Sequence, residues 1–472
     1  MRIAVWEGVV AAGMFACAEA WLAPMIVTWL GGPAQWMAYL FWVPQLLTAL
    51  IGPFASGLIG HWGGARRVAI GLSFIQGAVL GLMLVPLLLH GQAWLPPWLA
   101  TGHTLAGIAL VLAVIATACG VVVGIAWLSW MGGLVPERVR GPYIAMRTRW
   151  FFISKVMTAL AFSGIAWALP YAPRDGASGT VWGLVAILAI GATARCVASL
   201  MMSRQGEGRV RPPGRPLSQR SGAVIHMTFR RYITGFRELA IARWTLVYAI
   251  FNLGWGVSIW AFVPYMQEAA ARGGLGLADE PVRFWLLMWL STLVRIAAYP
   301  IAGRLVQRLG AATALRIALP GVVALPFGWA FVTDYWWLLA VEVLSGLAWS
   351  IMECGMGMLM FAAHPQQQVR AKLIGYHLGV CALALVIGTV LGQVLFSQGW
   401  LPALLGSTGL YTMVFLVSGL LRLPALVLAL ALLPSRLGDQ DRPLVGALRD
   451  LPGVTLVDET LRDLIAMLRG RR

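Results

Sequence analysis

Charged residues are scarce in this sequence of 472 residues, where they make up only 11% of the chain. Hydrophobic residues make up 60% of it. A water-soluble protein of this length needs far more polar side chains to cover its surface. The scarcity of charge therefore excludes a soluble multidomain protein and indicates a chain that lipid covers over much of its surface.

Cysteine is also rare, and several motifs are missing. The five cysteines are an odd number without CxxC spacing, and all lie in or beside apolar runs, so we interpret them as packing residues; they are Cys17, Cys119, Cys196, Cys354 and Cys381. We expect no metal site, because there is no HExxH motif and no Cys/His cluster. Without a phosphate-binding loop, ATP is excluded as an energy source, and no cofactor is predicted.

Long apolar runs are what the sequence has instead. Each is long enough to cross a hydrocarbon core of ~30 Å, and within lipid the backbone groups of such a run are satisfied only by a helix. We predict an all-α polytopic membrane protein with about twelve transmembrane helices. The predicted spans are 5–30, 35–59, 68–90, 104–131, 150–170, 180–203, 241–267, 282–303, 312–332, 335–362, 373–397 and 408–433.

The spans form two blocks of six. We predict an N-terminal six-helix bundle over 1–203, a cytoplasmic linker over 204–240 and a C-terminal six-helix bundle over 241–434. The remaining residues, 435–472, form a predicted cytoplasmic tail. Leucines recur there at helical spacing, which favours either an amphipathic helix on the membrane surface or a flexible, solvated tail.

The net charge of +17 comes from arginines on alternate loops. Because cytoplasmic loops concentrate Lys and Arg, this pattern predicts an inner-membrane protein with both termini in the cytoplasm and explains the charge without a nucleic-acid partner. Glu7 interrupts the first apolar run, so we expect an uncleaved first span rather than a signal peptide. The basic segments are 61–67, 138–149, the linker, 304–308, 370–372 and the tail.

The two blocks repeat one pattern. Three features of the first block have counterparts in the second, and this correspondence indicates a duplication with a solute site between the repeats. The pairs are 53–66 with 300–310, 136–141 with 365–371, and Arg195 with Arg422.

The loop after the second span carries a recognisable glycine and arginine pattern. Gly57, Gly64 and Arg66 stand where the signature loop of the major facilitator superfamily has these residue types, and His61 stands where that family usually has Asp. A second copy after the eighth span retains its two glycines and its arginine, whereas the position of the acid is Gln; the retained residues are Gly303, Gly310 and Arg308. The sequence therefore resembles this superfamily of transporters.

The loop after the fourth span strengthens the resemblance. It contains Glu137, Arg138 and Arg140 and looks like the equivalent loop of many bacterial members. Glycine permits close helix approach and arginine clamps helix carbonyls, so these loops are predicted to act as conformational latches. With His61 in place of Asp, the latch is weaker, pH-sensitive, or built from Glu137. Alternatively, the loops serve only to orient the chain in the membrane.

Ionisable side chains within the spans are the first candidates for function, because charge at bilayer depth is costly. The sequence places Glu19 in the first span, Arg295 in the eighth, and Glu342 and Glu353 on the tenth. The resemblance implies that these spans line or flank a central cavity. We predict that the acids couple transport to protons or bind a cationic or polyhydroxylated solute, with Arg295 paired to one of them or binding an anionic substrate. A purely structural ion pair is the alternative.

The resemblance also implies that the sixth and twelfth spans lie at the lipid-facing periphery. We therefore predict that Arg195 and Arg422 are lipid-facing anchors whose side chains reach the membrane surface.

Asn252 and Trp255 in the seventh span are further candidates. An amide and an indole in a cavity bind a solute by hydrogen bonding and stacking, although most of the 23 tryptophans must be interfacial or packing residues. We therefore predict a secondary transporter, expected to be monomeric and proton-coupled, that moves a small-molecule substrate across the lipid bilayer by alternating access. The alternatives are a transport-inactive sensor or assembly factor and an integral membrane enzyme.

Overall fold

The computed structural model describes residues 1–22, 24–33, 36–90, 92, 94–96, 98, 102–168, 181–206, 227–235, 238–332, 334–397 and 400–433. These residues form helices and their connections, and they include no strand. Eleven helical stretches, from Trp42 to Leu432, are long and apolar enough to cross a membrane by length and composition. The predicted tail and most of the predicted linker lie outside the described residues. The predicted boundaries of the two bundles therefore stay predictions.

Twelve long helical segments follow one another along the described chain, and shorter pieces include a π-helix at Pro24–Trp29 and an α-helix at Phe229–Thr234. The long segments are α1 (Arg2–Ala20), α2 (Trp36–Ile51, continued by Ala55–His61), α3 (Ala65–Leu82, continued by Leu84–Leu89), α4 (Gly102–Leu134), α5 (Arg140–Ala168), α6 (Trp182–Ser203), α7 (Ala240–Ile259, continued by Phe262–Gln267), α8 (Pro281–Leu309), α9 (Ala311–Phe331), α10 (Tyr335–Ala362), α11 (Gln367–Ser397) and α12 (Trp400–Leu432). The predicted all-α architecture of about twelve helices is confirmed.

One predicted boundary is wrong by ten residues. The apolar run suggested a fifth span from residue 150, but α5 begins at Arg140, directly after a 3₁₀ turn at Glu137–Val139. The Arg140 guanidinium donates to the carbonyl oxygens of Gly132 and Val135 at the end of α4, at 3.1 and 3.3 Å. Hydropathy marks the part of a helix that lies in lipid, whereas this helix continues beyond it.

The two halves follow one packing plan. In the first half, α1 packs on α5 and α6, and α3 packs on α4 and α6. In the second half, α7 packs on α11 and α12, and α9 packs on α10 and α12. Adding six to each helix number of the first set gives the second set, so the repeat that the loops suggested extends to the helix contacts.

Glycines bring the halves together at two equivalent places. On one side α5 meets α8, where Gly141 and Gly303 lie so close that a Cβ added to either would overlap the other helix. On the other side α2 meets α11, where Gly52 and Gly375 are related in the same way. Because glycine has no Cβ, it permits this backbone approach.

The halves are joined at the end that carries the basic loops, which we call the basic end. A hydrophobic cluster there takes residues from both halves, among them Trp130, Tyr143, Phe361 and Ile374. Toward the other end, the described residues of each half form a cluster of their own, around Ile26 in the first half and Phe415 in the second. The molecule is therefore closed at the basic end in this conformation.

Candidate functional site

A central cavity of about 700 Å³ lies between the halves. Residues of α1 to α6 form most of its wall, and α10 completes it. Its charged lining residues are Glu7, Arg147, Arg195 and Glu353. A second cavity of about 320 Å³ lies within the second half, between α7, α8, α9 and α10, and Glu353 lines this cavity as well. Glu353 therefore stands where the two cavities meet.

The Glu353 carboxylate is bound by two side chains of α8. Its Oε1 accepts a hydrogen bond from Arg295 Nη1 at 2.9 Å, and its Oε2 accepts one from the Tyr299 hydroxyl group. A second polar contact joins α8 to α10 farther from the basic loops, where the hydroxyl groups of Ser291 and Ser345 lie 3.0 Å apart. The sequence prediction left open which acid Arg295 would meet, and the structure shows Glu353.

The ion pair extends to the other half through an aromatic ring. The Arg295 guanidinium lies 5.3 Å from the centre of the Phe152 ring on α5, and that ring stacks on Tyr299 at 6.0 Å. The side chains of Arg295 and Glu353 are 20% and 23% exposed. The pair is therefore partly exposed, and Arg295 links Glu353 to an aromatic ring of the other half.

Glu342 lies in the smaller cavity with a different set of neighbours. Trp329 Nε1 donates a hydrogen bond to Glu342 Oε1 at 3.1 Å, and Trp255 lines the same cavity. Within the described part of the chain, no Lys, Arg or His nitrogen lies within 4.0 Å of this carboxylate. Of the predicted residues, Glu342, Glu353, Arg295 and Trp255 are thus brought together around one cavity.

The first half contains an ion pair that the sequence analysis missed. Arg147 Nη2 lies 3.1 Å from Glu7 Oε2, and the guanidinium stacks on Trp127 with its carbon 3.8 Å from the ring centre. The Glu7 side chain is only 2% exposed. In the sequence, Glu7 is an interruption of the first apolar run, and Arg147 is one arginine of a basic segment. A lone acid in an apolar helix is the signal that would have identified this pair.

The prediction that Arg195 and Arg422 are lipid-facing anchors is wrong. Their exposed fractions are only 4% and 3%. Arg195 Nε donates to Gln76 Oε1 at 2.7 Å on the central cavity, while Arg422 Nη2 donates to the hydroxyl groups of Ser418 and Ser258 at 3.0 and 3.2 Å. Both arginines face inward because α3 offers Arg195 a polar partner within the protein, and α7 and α12 offer polar partners to Arg422.

Two other predicted residues do not line either cavity. Glu19 is 56% exposed and is paired with Lys155. Asn252 is buried, and its Nδ2 donates to the Cys381 carbonyl oxygen at 3.2 Å. Glu19 therefore neutralises a lysine of α5, and Asn252 joins α7 to α11. The resemblance implied that α1 and α7 line the cavity. Glu19 and Asn252 lie on other faces of these two helices.

The predicted latch loops lie together at the basic end. Arg66 Nη2 donates to the Ser203 carbonyl oxygen at 2.7 Å and Nε donates to that of Gln205 at 3.0 Å, so it clamps the end of α6. Gly64 and Gly310 have φ of +116° and +79°, which only glycine adopts without strain, and each precedes a helix. The side chains of His61, Arg138 and Arg308 are exposed, as is Gly57.

The contacts across the basic end come mainly from residues that we did not single out. Gln307 Oε1 accepts from the Gly141 amide at 2.8 Å, and its Nε2 donates to the Glu137 carbonyl oxygen at 3.1 Å. Arg370 Nε donates to the Ser129 carbonyl oxygen at 2.9 Å. The Glu137 carboxylate instead lies 3.2 Å from Arg140, within its own loop.

Known structures share this fold. No family model and no curated protein matches the sequence. A bacterial homologue of the iron transporter ferroportin, in an outward-facing state, has a TM-score of 0.64 at 16% identity and covers 91% of this chain and 98% of its own. A double tryptophan mutant of XylE has a TM-score of 0.65 at 14% identity over 93% of this chain and 96% of its own.

FucP, a major facilitator superfamily transporter in the outward conformation, has a TM-score of 0.62 at 12% identity, with 90% of this chain and 98% of that chain covered. At such identities the likeness concerns the fold. The chain therefore has the major facilitator fold, as the resemblance of its loops implied.

Proposed function

We propose that the protein is a secondary transporter that moves a small solute through the membrane by alternating access, coupled to protons at Glu353. Its place is the inner membrane, with the basic end in the cytoplasm and a monomer as the working unit. The observation that carries the proposal is the position of Glu353, which lines both cavities while it is bound to Arg295 and Tyr299.

The architecture supports movement of one half against the other. Two equivalent glycine contacts, Gly141 with Gly303 and Gly52 with Gly375, join the halves at the basic end. The hydrophobic clusters at the opposite end are separate. Two halves that share a cavity and are joined at one end can rock about it, which exposes the cavity to each side in turn.

Protonation of Glu353 provides a physical link between charge and movement. The ionised carboxylate attracts Arg295, whose guanidinium lies against Phe152 of the other half. When the carboxylate takes up a proton, the attraction falls and the guanidinium is free to move away from the α5 ring. XylE, one of the proteins with this fold, is described as a proton:xylose symporter. Proton coupling in the present chain is the part that the experiment must test.

The test is a proton flux measurement on purified protein in liposomes that contain the pH dye pyranine. Choline, D-xylose, L-fucose and Fe²⁺ are added one at a time without an imposed pH gradient, and a coupled solute changes the internal pH only when protein is present. For that solute, Glu353→Gln is expected to reduce proton movement at least about tenfold, because the residue can no longer exchange a proton.

Glu19→Gln is the matched control, since Glu19 is also an acid within a helix but lines neither cavity. It is expected to retain wild-type flux. If both variants transport protons at the wild-type rate, Glu353 is not the coupling residue. If no compound of a wide panel moves with or without protons, the protein is not a transporter of the proposed kind.

A further inference from the structure

The smaller cavity is walled by aromatic rings. Trp255, Phe262, Trp329 and Trp349 all line it. The rings of Trp255 and Trp349 are 5.4 Å apart and tilted, while Phe262 meets Trp329 edge to face at 5.0 Å. The rings therefore come from α7, α9 and α10 and line one space.

The charges that face this space leave an excess of one negative charge. Three ionisable side chains line it, namely Glu342, Glu353 and Arg295. Arg295 and Glu353 are paired with each other at 2.9 Å. Glu342 has only the neutral Trp329 indole as a hydrogen-bond partner in the part of the chain that the structure describes. An ionised carboxylate whose only hydrogen-bond partner is neutral is costly in such surroundings, and either a proton or a bound cation relieves that cost.

Aromatic faces combined with one carboxylate favour a particular kind of cation. The negative face of an indole attracts ammonium groups, and the attraction is strongest for poorly hydrated ions such as quaternary ammonium. A bare metal ion instead requires several oxygen, nitrogen or sulfur ligands. Among the described residues, no group of three His, Cys, Asp or Glu side chains could hold one. The hydroxyl groups of Ser291 and Ser345 are already bonded to each other.

We propose that the smaller cavity binds a small organic ammonium ion, with Glu342 as its counter-ion and Trp255, Trp329 and Trp349 as its aromatic walls. The cavity of about 320 Å³ is large enough for a molecule the size of choline. The inference rests on the proposed function in one respect, since it names the class of the transported solute. Because Glu353 lines both cavities, a cation bound here lies beside the proposed coupling residue.

The experiment compares choline with 3,3-dimethylbutan-1-ol, which has the same shape without the charge. Thermal unfolding of the purified protein is measured in detergent at about pH 8.5, where carboxyl groups are ordinarily ionised. Choline and tetramethylammonium are expected to raise the melting temperature in proportion to occupancy, whereas the neutral alcohol is not. Glu342→Gln is expected to weaken choline binding at least about tenfold, and Glu19→Gln to leave it unchanged.

Binding and transport are read separately. Stabilisation by choline and tetramethylammonium, lost in Glu342→Gln, supports the site even if the liposomes show no flux, in which case only the proposed function fails. The site is overturned if neither ammonium ion stabilises the protein, or if the neutral alcohol stabilises it equally, whatever the flux measurement shows. If Glu342→Gln does not fold, the wild-type contrast between choline and the alcohol decides alone.

Discussion

Each half contains one ion pair with at least one member on the central cavity, but the pairs differ in burial and in what they touch. In the first half, Glu7 and Arg147 join α1 to α5, and Arg147 stacks on Trp127 of the same half. In the second half, Glu353 and Arg295 join α10 to α8, and Arg295 lies on Phe152 of the opposite half. One pair holds a half together, whereas the other connects the halves.

The acids of the two ion pairs also differ in how deeply they are buried. Glu7 is almost fully enclosed, so its charge depends on Arg147 and on whatever water reaches the cavity wall. Glu353 keeps a larger exposed fraction and lies at the junction of two cavities. Removing one member of a buried pair is expensive, while a partly exposed pair contributes less because water screens it. We infer that the first pair is structural and that the second is able to switch.

The largest effect should come from breaking the first pair. Arg147→Leu leaves Glu7 buried without a counter-ion, which is expected to cost about 3–5 kcal/mol of stability. Glu353→Gln removes a partly exposed charge and keeps an acceptor for Arg295, so the expected cost is about 1 kcal/mol. Thermal unfolding in detergent compares the two variants directly.

A double variant sharpens this comparison. Combining Arg147→Leu with Glu7→Gln removes the unpaired charge, so it should recover most of the stability that Arg147→Leu loses. Equal melting temperatures for Arg147→Leu and Glu353→Gln would contradict the division into a structural and a switching pair.

The next largest effect is expected at the contact between α5 and α8, where Gly303 meets Gly141. A Cβ at position 303 would meet Ala145 and the Gly141 carbonyl oxygen of α5, so Gly303→Ala is expected to disfavour closure of the basic end by about 1–3 kcal/mol. The measure is labelling of Gln45→Cys, a cavity residue, by an impermeant maleimide added from the basic side of proteoliposomes in a cysteine-free background.

Labelling should rise at least about fivefold, because the population open to that side increases. Gly164→Ala on α5 is the matched control, since nothing lies within 4 Å of an added Cβ there. Unchanged labelling in Gly303→Ala would show that the α5 and α8 contact does not control access to the cavity.

Hydropathy was enough to predict the fold. Apolar runs predicted the helices, and the repeated basic loops predicted a duplication. The contacts between helices show the same duplication. The start of α5 was not predicted because its first ten residues include the charged side chains of Arg140, Arg147 and Arg149, although they are helical. An apolar run marks only the part of a helix that lies in lipid. The helix itself is formed by backbone hydrogen bonds, which continue beyond the lipid.

The site was predictable only in part. Scarcity of charge within the spans pointed to Glu353 and Arg295, but their pairing needed the packing of α8 on α10. The direction of Arg195 could not be derived, because a helix that is apolar on every side gives no indication of which face meets lipid. In the structure, Gln76 on α3 supplies the partner that keeps Arg195 inside.

The smallest effect should come from Gln307, whose side chain forms hydrogen bonds to the start of α5 and to the turn before it. Gln307→Ala removes the acceptor of the Gly141 amide and the donor to the Glu137 carbonyl oxygen. The expected cost to the closed state is about 1 kcal/mol, or roughly fivefold more labelling from the basic side. The exposed Gln366 of the same end, changed to Ala, should have no effect.

A substitution by an acid separates the two bonds of Gln307. Gln307→Glu keeps the acceptor, places a negative charge at the start of α5 where the helix dipole favours it, and loses the donor to the Glu137 carbonyl oxygen. If the acceptor matters more, Gln45→Cys is labelled in this variant at the wild-type rate. The hydrogen bond to the Gly141 amide at the start of α5 is then the bond that keeps the basic end closed. If it labels like Gln307→Ala, the bond to Glu137 carries the effect, and the loop before α5 is the part that holds the halves together.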